Sequence, residues 1–169
     1  TRFRNVTGVQ TCALPISTLV SLLIHVPVVV TWIVFAAFVA AVASPRLLAV
    51  GEPLRLIARL RVPTLVLLIV IVVTGSWQTH YNPFVEVTSW ETLEQLKNTT
   101  DYGMALFYKH VWFAVTVALS LATQFVIAPR LLAAGETQPS RLLRILAWLN
   151  VVACILVLLA TTRMTITLH

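Results

Sequence analysis

Four apolar stretches, each close to the length that crosses a membrane, dominate this sequence. A helix needs roughly 20 apolar residues to span the hydrocarbon layer of a bilayer. Only 11% of the 169 residues are charged, whereas a soluble domain is about 25% charged. We therefore predict an all-α integral membrane protein, an antiparallel four-helix transmembrane bundle. The four predicted spans are Thr18 to Ala43, Val62 to Trp77 with a possible extension to Gln78–His80, Met104 to Ile127, and Leu142 to Thr162.

The start of the chain differs from the rest. Residues 6–16 resemble the translation of a common short-read sequencing adapter, and the segment lacks the order of a secretory signal. We expect residues 1–16 to be a non-native assembly scar and the native amino terminus to be missing. Residues 17–169 are then a single membrane domain, with one hairpin at about 18–80, an outer loop at 81–103 and a second hairpin at about 104–163.

Charge is distributed unevenly among the loops. Removing Arg2 and Arg4 with the scar leaves ten basic and six acidic residues, a net charge of +4. Because the basic residues lie in short loops between apolar runs, they indicate a lipid bilayer and no nucleic acid. Short arginine-rich loops stay in the cytoplasm, so both ends of the chain should face outward. The arginines of the first and third loops are Arg46, Arg55, Arg59, Arg61, Arg130, Arg141 and Arg144.

The outer loop is acidic and contains one predicted helix. Thr88 and Glu91 have the spacing of a capping box, and Trp90, Leu93 and Leu96 would form one apolar stripe. We predict a short helix lying at the membrane interface.

The segments 44–60 and 128–146 contain an internal repeat. The motif Pro-Arg-Leu-Leu-Ala-x-Gly-Glu begins at Pro45 in the first and at Pro129 in the second, each time between one apolar run and the next. This pattern favours a duplicated helical hairpin. The alternative is convergence on a good cytoplasmic turn, in which proline ends a helix and glycine caps it.

The repeat places two histidines at similar depth. His25 precedes Pro45 by almost the same number of positions as His110 precedes Pro129. Both should therefore lie roughly 29–30 Å along their helices from the cytoplasmic turn. An ionisable residue inside a span is a functional candidate, and a histidine pair on facing helices could hold a haem iron or help to bind copper. The alternative is hydrogen bonding to neighbouring helices.

Other candidate residues carry weaker signals. His80 ends the second span, where it could join a metal site or occupy the interface. Trp32 shares a helix face with His25 and is more typical of packing. Lys109 could meet a haem propionate, a lipid phosphate or the acidic loop. Cys154 lies deep in a span and is typical of a small packing residue.

Several classes of function have no support in the sequence. One native cysteine excludes a disulfide framework and a cysteine-based zinc site. Two methionines, without a Met-x-x-x-Met pair, argue against a high-capacity copper permease. No Ser-His-Asp set or phosphate-binding loop occurs, and no span contains a carboxylate pair. Transport or electron transfer is therefore favoured over an enzyme.

The chain resembles the CopD-like family of bacterial inner-membrane copper-resistance proteins. The resemblance rests on His25 with Trp32, on Gly75, and on the segment "TTDYGMALFYKH" at 99–110. It implies a multi-pass protein of the bacterial inner membrane with a functional face toward the periplasm, which is then also the side on which the loop charges place both ends. It also implies a link to copper, and a periplasmic copper-binding protein as partner.

These observations lead to three functional hypotheses. The first is a CopD-like protein that binds or transports a copper ion through His25 and His110, with His80 as a possible third ligand. The second is a haem b electron carrier with His25 and His110 as axial ligands and a separate redox partner. The third is a metal-free accessory subunit of a larger membrane complex. A homo-oligomer is compatible with each.

Overall fold

The computed structural model describes residues 16–48, 51–81, 87 and 89–166. The adapter-like segment, apart from Ile16, and His169 lie outside this range. In the described chain, regular structure is helical throughout. The helices are α1 (Ile16–Val42), α2 (Pro53–Arg59), α3 (Arg61–His80), α4 (Trp90–Thr99), α5 (Asp101–Leu121), a π-helical segment (Ala122–Ile127), α6 (Ala128–Ala133) and α7 (Arg141–Ile166).

The fold is the predicted all-α membrane bundle. Among the described residues, four helical stretches are long and apolar enough to cross a membrane: Leu19–Val42, Pro53–His80, Asp101–Ala133 and Arg141–Met164. α1 packs mainly on α3 and α7, and α5 packs mainly on α7, whereas α3 and α5 touch only slightly. Trp32 and Phe113 meet across the centre, with ring centroids 5.9 Å apart.

The distribution of polarity supports the membrane assignment. Large apolar side chains point outward along the spans; Leu23, for example, is 67% exposed and Val73 is 62% exposed. Several polar side chains of the spans turn inward, as Thr116 and Asn150 do. A bundle with apolar groups outside and polar groups inside suits a lipid solvent better than water.

Two apolar clusters form the core. The arginine-end cluster lies beside the arginine-rich loops and comprises Val39, Ala40, Val42, Ala43, Leu54, Ile57, Ala128, Leu143 and Ala147. The central cluster lies further along the bundle and comprises Trp32, Ala36, Leu68, Ile71 and Cys154. Cys154 is 1% exposed within this cluster, which confirms its assignment as a packing residue. The opposite end of the bundle, which contains His25 and His110, is called here the histidine end.

Hydrogen bonds fasten the two hairpins together at the arginine end. Arg144 Nε donates to the Ala43 carbonyl at 3.2 Å, and Trp148 Nε1 donates to Ser44 Oγ at 3.1 Å. Both bonds join α7 to the turn that follows α1. This turn is therefore held by a partner that is distant in sequence.

The two copies of the repeated motif have different structures. In the first copy α1 has ended before Pro45, as expected. In the second copy the prediction that the span ends at Ile127 is wrong, because helix continues through Pro129 to Ala133. A proline inside a helix clashes with the carbonyl four residues earlier. The preceding π turn, with its wider hydrogen-bonding pattern, accommodates Pro129 without ending the helix.

The outer loop contains the expected short helix, but its cap lies one residue later than predicted. Ser89 is the N-cap, and its hydroxyl accepts from the Thr92 backbone N–H while the Thr92 side chain bonds the Ser89 backbone. The capping box is thus Ser89 with Thr92 and does not involve Glu91. Leu93 is buried against α5, and the Trp90 ring lies 5.4 Å from that of Phe107.

Candidate functional site

His25 is part of a polar cluster between α1 and α3 at the histidine end. Its Nδ1 lies 2.7 Å from Thr74 Oγ1. One turn earlier on α1, Ser21 Oγ donates to the Thr74 carbonyl at 3.2 Å, and Gln78 Nε2 donates to Ser21 Oγ at 3.3 Å. Ser21 and His25 therefore share a helix face, as their spacing predicts. Together these bonds fix the position of the imidazole against α3.

The direction of the hydrogen bonds defines the tautomer of His25. Thr74 Oγ1 lies 2.6 Å from the Val70 carbonyl, which can only accept, so the hydroxyl proton points there. The Thr74 oxygen must then accept from His25 Nδ1–H. In neutral imidazole the other nitrogen carries the free lone pair. Nε2 of His25 is therefore the atom available as a ligand.

His110 has the same tautomer as His25, but its hydrogen-bond partner lies on its own helix. Its Nδ1 lies 2.8 Å from the carbonyl oxygen of Leu106, one turn earlier on α5. Because a carbonyl only accepts, Nδ1 carries the proton and Nε2 carries the lone pair. Both histidines thus present Nε2, from α1 and from α5. The described contacts contain no hydrogen bond or ring contact between the two imidazoles themselves.

Lys109 brings a positive charge to this part of the bundle. It directly precedes His110 on α5. The side chain is only partly exposed, and it forms no hydrogen bond or ion pair with the other described residues. The predicted contact of Lys109 with the acidic loop is therefore not among the described contacts. A positive charge here favours a ligand that has a negative group.

His80 lies at the end of α3 in a different environment. It is exposed, and its ring makes an edge contact with Tyr81 at 4.8 Å between centroids. Tyr81 in turn contacts Trp77 at 4.6 Å. Across the described residues, no group of three or more histidine, cysteine, aspartate or glutamate side chains is arranged to hold a metal ion. The role of His80 as a third ligand remains a prediction.

Sequence reasoning missed two residues of this site, Thr74 and Gln78. They lie one helical turn apart on α3, and that spacing was the one available signal. The hydrogen bond of His110 to its own helix also could not be read from the sequence. Comparisons of the chain with protein-family models, with curated proteins and with solved structures found no match. The site therefore has to be interpreted from its own geometry, within an all-α membrane bundle.

Proposed function

We propose that this protein binds copper through Nε2 of His25 and His110, in the periplasmic half of a bacterial inner membrane. The observation that supports this most is the shared hydrogen-bonding state of the two imidazoles. Each donates Nδ1–H to an oxygen, and this arrangement typically orients a metal-bound histidine and raises its basicity. Both Nε2 atoms are thereby prepared for a metal.

Copper is a suitable transported ion for a pair of histidine ligands. Imidazole is a good ligand for copper, and the CopD-like resemblance of the chain implies the same ion. Two histidines leave further coordination positions for a donor from a periplasmic copper-binding protein, or for His80. An incomplete ligand set allows the ion to be passed on, which is the property that a transport step requires.

Haem b is the second candidate, and Lys109 is the observation that favours it. An ammonium group next to His110 in the chain repels a bare cation but attracts a carboxylate. Haem carries two propionates, and two neutral histidines fit its axial positions. In that case His25 and His110 would hold the iron, Lys109 would neutralise one propionate, and the protein would transfer electrons to a redox partner.

Absorbance and copper titration of the purified protein separate these functions. Protein expressed with haem and copper available should bind copper stoichiometrically without a Soret band, and His25→Ala or His110→Ala should abolish that binding. A Soret band that either variant removes would instead establish the haem function. Neither copper nor pigment would leave a metal-free accessory subunit. His80→Ala tests the third ligand, because binding stays unchanged if two histidines suffice.

Substitution of Lys109 provides an independent discrimination. Lys109→Met removes the charge and keeps much of the apolar stem. Copper binding should become tighter because the repulsion is gone, whereas haem retention should fall because a propionate loses its partner. A variant without effect on either ligand would place the ammonium group away from the metal.

The proposed orientation can be tested by labelling. Single cysteines at Glu94, in the outer loop, and at Glu136, at the arginine end, would be treated in intact cells with a membrane-impermeant maleimide. Glu94→Cys should react from the periplasm and Glu136→Cys should not. The reverse result would invert the proposed topology.

A further inference from the structure

A layer of polar side chains crosses the interior of the bundle, away from the histidines. We call it the polar layer, and its members are each 4% exposed or less. Its members on α5 and on the π-helical segment lie on one face of that continuous helical stretch. The layer comprises Thr64, Ser120, Thr123, Gln124 and Asn150.

The positions of these residues along their helices place them at one level. In the second helical stretch, Pro53–His80, Thr64 lies between Ile57 of the arginine-end cluster, on α2, and Leu68 of the central cluster, on α3. On α7, Asn150 lies between Ala147 and Cys154, which belong to the same two clusters. Each helix therefore presents a polar group at the boundary between the two apolar clusters.

The third helical stretch, Asp101–Ala133, also presents a polar group at the boundary between the two clusters. Gln124 lies between Val117, which packs on the central cluster, and Ala128 of the arginine-end cluster. At the same boundary, α1 presents the small residues Ala36, of the central cluster, and Ala40, of the arginine-end cluster.

Hydrogen bonding among the described residues leaves some oxygen atoms of the polar layer without a partner. Asn150 Nδ2 donates to Ser120 Oγ at 3.0 Å and so joins α7 to α5. Thr123 Oγ1 donates to the Leu119 carbonyl at 2.8 Å. Three buried side-chain oxygens have no hydrogen-bond partner among the described residues: Thr64 Oγ1, Gln124 Oε1 and Asn150 Oδ1. The two amide oxygens can only accept, so they need a donor or a cation.

The helix geometry at this level adds an independent observation. Gln124 belongs to the π-helical segment, and π turns occur frequently at functional sites. Pro129 follows the segment and has no N–H to offer to the backbone carbonyls of Gln124 or Phe125. Lipid chains cannot supply donors at this depth.

We propose that the polar layer is a buried binding site for a small electropositive occupant, coordinated by Thr64 Oγ1, Gln124 Oε1 and Asn150 Oδ1. The occupant is either a water molecule, which donates its hydrogens to these oxygens, or a monovalent cation, which they coordinate. The site lies between the arginine-end and central clusters and involves neither His25 nor His110. It therefore does not depend on the proposed metal function.

A matched pair of threonine variants tests whether the site is occupied. Thr64 and Thr116 are 1% and 0% exposed, but the Thr116 hydroxyl donates to the Phe113 carbonyl of its own helix. If Thr64 binds an occupant, Thr64→Val should lower the melting temperature in detergent more than Thr116→Val does. If its hydroxyl has no partner, Thr64→Val should raise the melting temperature, which would overturn the proposal.

Two further measurements identify the occupant. A rise of the melting temperature in NaCl or KCl over N-methyl-D-glucamine chloride, lost in Asn150→Leu, would establish a cation. Without that rise, water-edited solid-state NMR should show magnetisation transfer from water to the Asn150 and Gln124 side chains, and this would establish water. Absence of both the salt effect and the transfer would refute the site, even if the variants fold.

Discussion

Gly75 and His25 come so close that a β-carbon added at Gly75 would lie 3.3 Å from Cε1 of the imidazole. α1 and α3 therefore pack tightly at the level of the candidate ligand. We expect Gly75→Ala to shift the ring by a few tenths of an ångström, cost about 1 kcal/mol of unfolding free energy, and weaken copper or haem binding. Chemical denaturation and ligand titration measure the two effects.

Gly51 offers the control for this substitution. An added β-carbon there meets nothing within 4 Å. Gly51→Ala should leave both stability and ligand binding unchanged. Equal behaviour of the two variants would show that the close approach at Gly75 does not position His25.

Thr74 should be the residue that orients His25. Thr74→Val removes the oxygen that accepts from Nδ1–H, so the ring can turn and change its tautomer. Loss of such a partner typically lowers metal affinity about 10–100-fold. Thr74→Ser keeps the hydroxyl and should restore affinity, as measured by copper titration or haem retention.

Thr79 is the matched control on the same helix. Its hydroxyl donates to the Gly75 carbonyl at 2.9 Å and has no bond to a histidine. Thr79→Val should leave ligand affinity unchanged. If Thr79→Val lowers affinity as much as Thr74→Val, the effect comes from the helix as a whole and not from orientation of His25.

The sequence predicted the number and approximate positions of the spans, and the arginine-rich loops, because hydropathy and loop charge are local properties. It did not predict the partner of His25, because a threonine in an apolar helix usually bonds its own backbone, as Thr162 does. Thr74 makes that bond as well and also accepts from His25, a feature that depends on how α1 packs on α3. Only Pro129 indicated the π-helical segment in the sequence. Because the repeat aligns Pro129 with Pro45, it predicted instead that the helix ends before this proline.

Gly103 should control the docking of α4 on α5. A β-carbon there would collide with the backbone carbonyl and the side chain of Leu96. Since backbone cannot rotate away, Gly103→Ala should displace α4, at a cost of about 1–3 kcal/mol. Hydrogen exchange of residues 90–99 should accelerate while α7 keeps its protection. Unchanged exchange in α4 would contradict this packing.

Ser44 should contribute to the joint between the hairpins. Ser44→Ala removes the acceptor of the Trp148 indole N–H, and a hydrogen bond of this kind contributes about 1 kcal/mol. Denaturation in mixed micelles should show that loss. Ser76→Ala is the control, because Ser76 is exposed on α3. Equal stability of the two variants would show that solvent or detergent satisfies the indole equally well.

Gly135 differs from Gly51 in conformation although the two occupy equivalent positions in the repeated motif. Of the two, only Gly135, which follows the end of α6, has a positive φ, 79°. Such an angle suits a residue without a β-carbon. Gly135→Ala should therefore cost about 1–2 kcal/mol of unfolding free energy, with Gly135→Asn intermediate, whereas Gly51→Ala should change it by less than about 0.5 kcal/mol. Equal costs at both positions in denaturation experiments would mean that the two turns share one conformation, contrary to the structural difference between the two copies.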